Sequence, residues 1–128
     1  MRAVHIPVSY GEAADRITIL TIKNERMTGD AKLDHVRTEL ALISDAFFAN
    51  VQLAPGFDAL FAELKAVNEA LWQIEDDIRG HEAKRDFGEN FIALARAVYT
   101  TNDRRAQIKR AIDELLGSEL REEKSYSK

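Results

Sequence analysis

Leu60, Leu64, Val67, Leu71, Ile74 and Ile78 follow one another at spacings of 4, 3, 4, 3 and 4 residues. Phe91, Leu94, Val98, Thr101, Arg105, Ile108, Ile112 and Leu115 continue the same rhythm further along the chain. An apolar repeat of about 3.5 residues is the signature of helices packed along a seam. The two runs predict a third helix over residues 57–83 and a fourth from residue 86 to residue 116. Each would be on the order of 40 Å long at a rise of 1.5 Å per residue. Residues 84–86 form the only link, so the pair is expected to fold back as an antiparallel, coiled-coil-like hairpin.

Upstream, Leu33, Val36, Leu40, Ile43 and Phe47 form another stripe, predicting a second helix with Asp30 as its N-cap. Pro55-Gly56 breaks the chain after it. The first helix is predicted over residues 10–27. Its Ile17, Ile19, Leu20, Ile22 and Met27 occupy more than one face, as in a well-buried helix. Ser9-Tyr10-Gly11-Glu12 reads as a capping box, with Ser9 and Glu12 capping each other's backbone N–H, and Thr28-Gly29 as the helix end. Asp86-Phe87-Gly88-Glu89 repeats that logic as an acid-capped start for the fourth helix. Before all this, Val4, Ile6 and Val8 alternate with Ala3, His5 and Pro7, which predicts an extended arm over residues 1–8. Pro7 lacks an N–H, so the arm could pair only as an edge. The expected fold is all-α: four helices in one domain over residues 1–117, followed by a polar tail, 118–128, expected to fray.

Composition narrows the chemistry. The 128 residues include no cysteine, which removes a thiol nucleophile, a disulfide framework and thiolate metal ligation. The net charge of −4, with basic and acidic residues interspersed, argues against general binding to nucleic acid or anionic lipid. No run approaches a membrane span and the first residues lack the apolar core of a secretory leader, so a cytoplasmic protein is expected. No glycine-rich phosphate loop, nucleophile elbow or dinucleotide fingerprint occurs, and no cofactor is expected.

The candidate chemistry lies where the fourth stripe is interrupted. Thr101 and Arg105 stand at positions that call for apolar side chains. In a hairpin folded about residue 85, facing residues have numbers summing to about 170, which sets Asn102 beside Asn68 and Arg96 beside Glu75. Trp72 and Tyr99 flank this polar layer. A guanidinium inside a bundle must be paired or face a water-filled cleft. One reading is a pocket for an anionic small molecule: Arg105 and Arg96 grip a carboxylate or phosphate, Asn68 and Asn102 orient it, and Trp72, Tyr99 and Glu75 complete the wall. The favoured reading is a registry device, with Arg105 paired to Asp15, Glu69 or another acid. The acids Glu75, Asp76 and Asp77 could serve acid–base or metal chemistry. They read better as a charged rim with Glu75–Arg79 and Asp76–Arg96 ion pairs. His35 with Glu39 and Asp77 with His81 have metal-ligand spacing but no matching second pair, so no metal site is expected. Glu12 and Asp15 lack a matching acid-rich helix for magnesium.

Several segments taken together, Ile6-Pro7-Val8-Ser9-Tyr10-Gly11-Glu12, Asp15-Arg16-Ile17-Thr18-Ile19-Leu20 with Lys23, residues 67–79 and residues 91–105, resemble a family of small bacterial proteins classed only as a domain of unknown function. The resemblance spans nearly the whole chain. It implies a stand-alone helical domain and an association with cell-surface glycan contexts, and it brings no assigned activity or catalytic residue.

Two function classes stand from this reading. The first is a dimeric interaction or scaffold module, accessory to a glycan or envelope pathway. The second is a small helical enzyme or ligand-binding protein holding an anion at the Arg/Asn layer. A homodimer is expected because a 40 Å hairpin covered by two shorter helices leaves a flank open, with Trp72, Tyr99, Phe61 and Ile92 beside the main stripe.

Overall fold

The computed structural model describes residues 2–125 and is all-helical over its regular elements: α1 (Tyr10–Arg26), α2 (Asp30–Asn50), α3 (Phe57–Ala83) and α4 (Glu89–Leu116). The third helix has the bounds the stripe predicts. Corrections concern the helix starts. The N-cap of α2 is Gly29, at φ 100°, and Asp30 is already helical. The N-cap of α4 is Gly88, without a side-chain cap. Asp86 instead accepts a long hydrogen bond from the Gly88 N–H (3.4 Å) and sits 3.2 Å from His81 Nδ1. Residues 2–8 form an arm with no strand pairing among the described residues. Its Val4 and Ile6 are 88% and 70% exposed.

The core gathers where α1 lies on the hairpin. Ala14 and Ile17 of α1 pack with Leu64 of α3 and with Ile108 and Ile112 of α4, all buried. Burying side chains of this size contributes roughly 1.5–3 kcal/mol each. The second helix runs back along α1, and its Phe47 stacks on Phe57 at the start of α3 (5.9 Å), which stacks in turn on Phe61 (5.3 Å). Phe61 is thereby a core-edge residue rather than part of an open flank.

Gly11 sets how closely α1 and α4 approach. A Cβ on it would lie 2.2 Å from the Lys109 carbonyl oxygen, so any larger residue would force the helices apart. That approach lets the Gly11 N–H reach Asp113 directly.

With 17 residues, α1 is about 25 Å long, against about 40 Å for each arm of the hairpin. It stops level with Trp72, over whose ring the Arg26 guanidinium sits 5.9 Å from the centroid. The second helix packs along α1 and not along the hairpin, which it meets through Phe47 on Phe57, so α1 alone runs beside the hairpin, and the hairpin outruns it. The consequence shows in burial. Stripe residues Leu64, Ile108 and Ile112 are sealed; Leu60, Val67 and Leu71 are half-buried, and beyond them Ile74, Ile78, Phe91, Leu94 and Val98 are all only half-buried.

In the described part of the polar tail, residues 118–125, several groups bond back to the helices. Ser118 is buried, and the Glu122 N–H donates to Asp113 Oδ2 at 2.7 Å. Arg110 reaches the Glu122 carbonyl and the Glu123 carboxylate. Residues 126–128 of that segment, like Met1 of the arm, lie outside the described residues.

Candidate functional site: the polar seam and the cleft beside it

A row of polar residues runs down the face of α1 that meets α4: Ser9, Glu12, Asp15 and Thr18, each three residues apart. A matching row, Asn102, Arg105, Lys109 and Asp113, runs along α4. The helices are antiparallel, so the rows meet rung by rung. Asp113 accepts from the Gly11 N–H at 2.6 Å. Lys109 Nζ donates to Glu12 at 2.6 Å and lies 3.2 Å from Glu122. Arg105 clamps Asp15 with Nε at 2.9 Å and Nη2 at 2.5 Å.

At the last rung α3 joins in. Asn68 Nδ2 donates to Asp15 Oδ1 (2.9 Å) and to Thr18 Oγ1 (2.8 Å), and the Thr18 hydroxyl donates to the Asp15 carbonyl (2.7 Å). Asp15 is 1% exposed, and its carboxylate is met by a guanidinium and an amide. The layer thus ties three helices at one height, and a buried carboxylate without those donors would be severely penalised. The first turn of α1 is also tied down. Its N–H groups donate to Ser118 Oγ (Tyr10, 3.1 Å), Asp113 (Gly11), Ser9 Oγ (Glu12, 3.1 Å) and the Ser9 carbonyl (Ala13, 3.1 Å). Tyr10, Gly11 and Glu12, three of the orphan donors of the helix start, are thus satisfied, two of them from the far end of the chain, and the Ala13 N–H makes the first intrahelical bond. The expected capping box is therefore half-formed: Ser9 caps, but the Glu12 carboxylate turns to Lys109.

The hydrogen bond to Asp15 raises the pKa of Arg105 against the opposing effect of burial, with the charges of Asp15, Glu12 and Glu122 adding to the rise. For Lys109, burial favours the neutral form most strongly as a single cause. The hydrogen bond to Glu12 and the charges of Asp15 and Glu12 outweigh it together, and the pKa is raised. Both cations stay charged through the neutral range and are neutralised by acids of this same chain.

A cleft of about 490 Å³ opens at the edge of the polar layer, where α1 ends. Ile19, Ile22 and Leu71 line its apolar part with Trp72, and Asn68, Asn102, Arg105, Glu75, Asp76 and Arg79 supply polar groups. Of the residues singled out from sequence, Asn68, Trp72, Glu75, Asn102 and Arg105 therefore share one cleft. Arg96 and Tyr99 do not line it. Both point to solvent, Tyr99 at 60% exposure. Arg79 lies 3.8 Å from Glu75, as expected of the rim, whereas the expected Asp76–Arg96 pair is not formed among the described residues. Arg105 bonds Asn102 Oδ1 through Nη1 at 3.3 Å, but its bidentate face is spent on Asp15.

Lys109, Asp113 and Ser118 were not among the candidates, and Glu12 was weighed only as a cap and a magnesium ligand, although the polar rows at helical spacing were there to be read. The signal was masked because each row borders an apolar stripe and passes for its solvated edge. Among the described residues no three His, Asp or Glu side chains converge as metal ligands would, and no helix is long and apolar enough to cross a membrane.

No curated protein and no solved structure matches the chain. A family model does, over residues 4–128, from the extended arm through the tail. The chain thus belongs to DUF6165, a family of unknown function.

Proposed function

We propose that this protein is a homodimeric interaction module in which a second copy covers the part of the α3–α4 hairpin that extends beyond α1. One observation carries the reading: the stripe has sealed residues only at Leu64, Ile108 and Ile112, and between residues 69 and 105, which include Ile74, Ile78, Leu94 and Val98, no residue is buried. Helix-forming sequence that keeps its apolar rhythm for eleven or more residues past its last covering helix retains a surface suited to another helical body. Ile92 and Tyr99, seven residues apart on the exposed side of α4, extend that surface.

The polar layer supports the same reading. Arg105 is committed to Asp15, which is what a registry device requires and what a free anion clamp would not show. The expected role in a cell-surface glycan pathway draws nothing from this geometry, and the proposal stands without it.

Substituting Ile92→Asp with Tyr99→Asp tests the module, because both side chains are exposed and the fold of one chain does not need them. Light scattering should show the native chain as a dimer and the double variant as a helical monomer. A native monomer, or a variant dimer of unchanged affinity, would overturn the proposal.

The cleft beside Trp72 favours a second reading, a binding site for a small molecule with an anionic group. Thermal-shift screening with phosphates, dicarboxylates and nucleotide sugars separates the two. The module predicts no stabilisation, and a saturable shift abolished by Asn102→Ala would establish the second reading instead.

A further inference from the structure

The arm and the cleft are both unpartnered apolar features of one chain, and they complement each other. In residues 2–8, Val4, Ile6 and Val8 fall on one side of an extended backbone, spanning about 13 Å at 3.3 Å per residue. They are 88%, 70% and 40% exposed. The arm carries Arg2 and His5 and no acid. At the foot of the uncovered hairpin, Ile19, Leu71 and Trp72 offer an apolar lining, and the rim bears Glu75 and Asp76 with Arg79, Arg105 being neutralised by Asp15 and Arg26, over Trp72, lying 3.8 Å from Glu69. A basic extended segment with a row of β-branched side chains matches an acidic-rimmed apolar groove in both respects. None of residues 2–8 lines the chain's own cleft. The arm departs from Ser9, which is extended (φ −67°, ψ 160°) and fixed at the opposite end of α1 from Ile22.

We infer that the arm of one copy seats in the Trp72 cleft of a second copy, so that a dimer exchanges two arms. The inference rests on the dimer proposed above and adds what fills the cleft. It also gives Pro7 a place, since a segment bound in a groove between helices needs no ladder hydrogen bond from that position.

The chain has one tryptophan and no cysteine, so two clean probes exist. Trp72 emission should shift to the blue as concentration carries the chain from monomer to dimer. Ile6→Asp should abolish that shift while leaving helical content unchanged and weakening dimerisation at least tenfold. A chain carrying Ile6→Cys, mixed with one carrying Asp76→Cys under mild oxidation, should give the mixed disulfide in excess over either symmetric one. If light scattering shows a dimer but neither the emission shift nor the mixed disulfide forms, the arm exchange is wrong and the dimer stands. If a chain with both substitutions closes its disulfide internally while mixed chains do not link, the arm covers its own cleft and the exchange is likewise wrong. If the native chain is a monomer throughout, both proposals fall.

Discussion

Asp15 and Arg105, ninety positions apart in the chain, meet in a two-pronged ion pair beneath the open cleft, with Asn68 of a third helix donating to the same carboxylate. The two partners are unequally protected. The Asp15 side chain is 1% exposed and that of Arg105 28%, so the loss of either has a different consequence.

Arg105→Met strands a buried carboxylate and should cost about 3–5 kcal/mol in urea unfolding. Asp15→Asn leaves a guanidinium that can turn toward the cleft and its water, and should cost less, about 1–3 kcal/mol. The double variant should be more stable than Arg105→Met alone, because an amide in place of the carboxylate carries no charge to strand. A double variant as unstable as the sum of the two singles would mean that they do not act as a pair.

Gly11→Ala should be among the most damaging small changes in the protein. Its methyl would lie 2.2 Å from the Lys109 carbonyl, and relieving that contact separates α1 from α4 at the rung where Gly11 meets Asp113. A loss of about 1–3 kcal/mol is expected, the range for overpacking a closed interface. Gly80→Ala, within α3, meets nothing within 4 Å and should instead gain roughly 0.5–1 kcal/mol of helix stability. Thermal unfolding of the two variants should move in opposite directions.

The Lys109 contacts predict an alkaline limit. Its folded pKa is raised above the ordinary 10.5, so the stabilisation from its charge is fully present below that value and is lost as pH rises through the folded pKa. Stability should fall above about pH 10.5, and the fall should be shallower in a Lys109→Met, Glu12→Gln variant. Unfolding midpoints between pH 9 and pH 12 decide it (about one and a half units either side of the lysine value). Parallel curves would remove Lys109 from the account.

The tail is predicted to be structural. Ser118→Ala removes the acceptor for the Tyr10 N–H and should cost about 1 kcal/mol, as for a lost cap. Ending the chain at Gly117 should cost more, since Asp113 then loses the Glu122 N–H and Lys109 loses the Glu122 carboxylate. A truncated chain as stable as the full one would return the tail to the frayed state that its polar sequence suggests.

These relationships show what could be read along the chain and what could not. The hairpin was legible because Leu60 to Ile78 and Phe91 to Leu115 keep a period that only helices use, and nothing else in the fold overrides it. Arg105 was legible as an anomaly, and Asp15 as one of its possible partners. The pairing itself was not legible, because it depends on where α1 crosses the hairpin, and that is set by Gly11, whose value is visible only when α4 lies against it. The contacts of the tail were hidden for the opposite reason. Ser118 caps a helix from 108 positions away and Glu122 and Glu123 bond α4, and polar residues of that kind look like solvation when read locally. Arg96 is set beside Glu75 by counting along the hairpin and Tyr99 is expected to flank the layer, but both face outward, since a sum of positions fixes height and not which side of the helix a residue occupies.

The central claim is that the hairpin beyond Trp72 is covered by a second copy, and sedimentation equilibrium of the native chain at micromolar concentration tests it most directly. The account predicts a species of twice the 14.5 kDa chain mass, reverting to one chain on Ile92→Asp with Tyr99→Asp. A native chain that sediments at 14.5 kDa at every concentration up to the limit of solubility would contradict it.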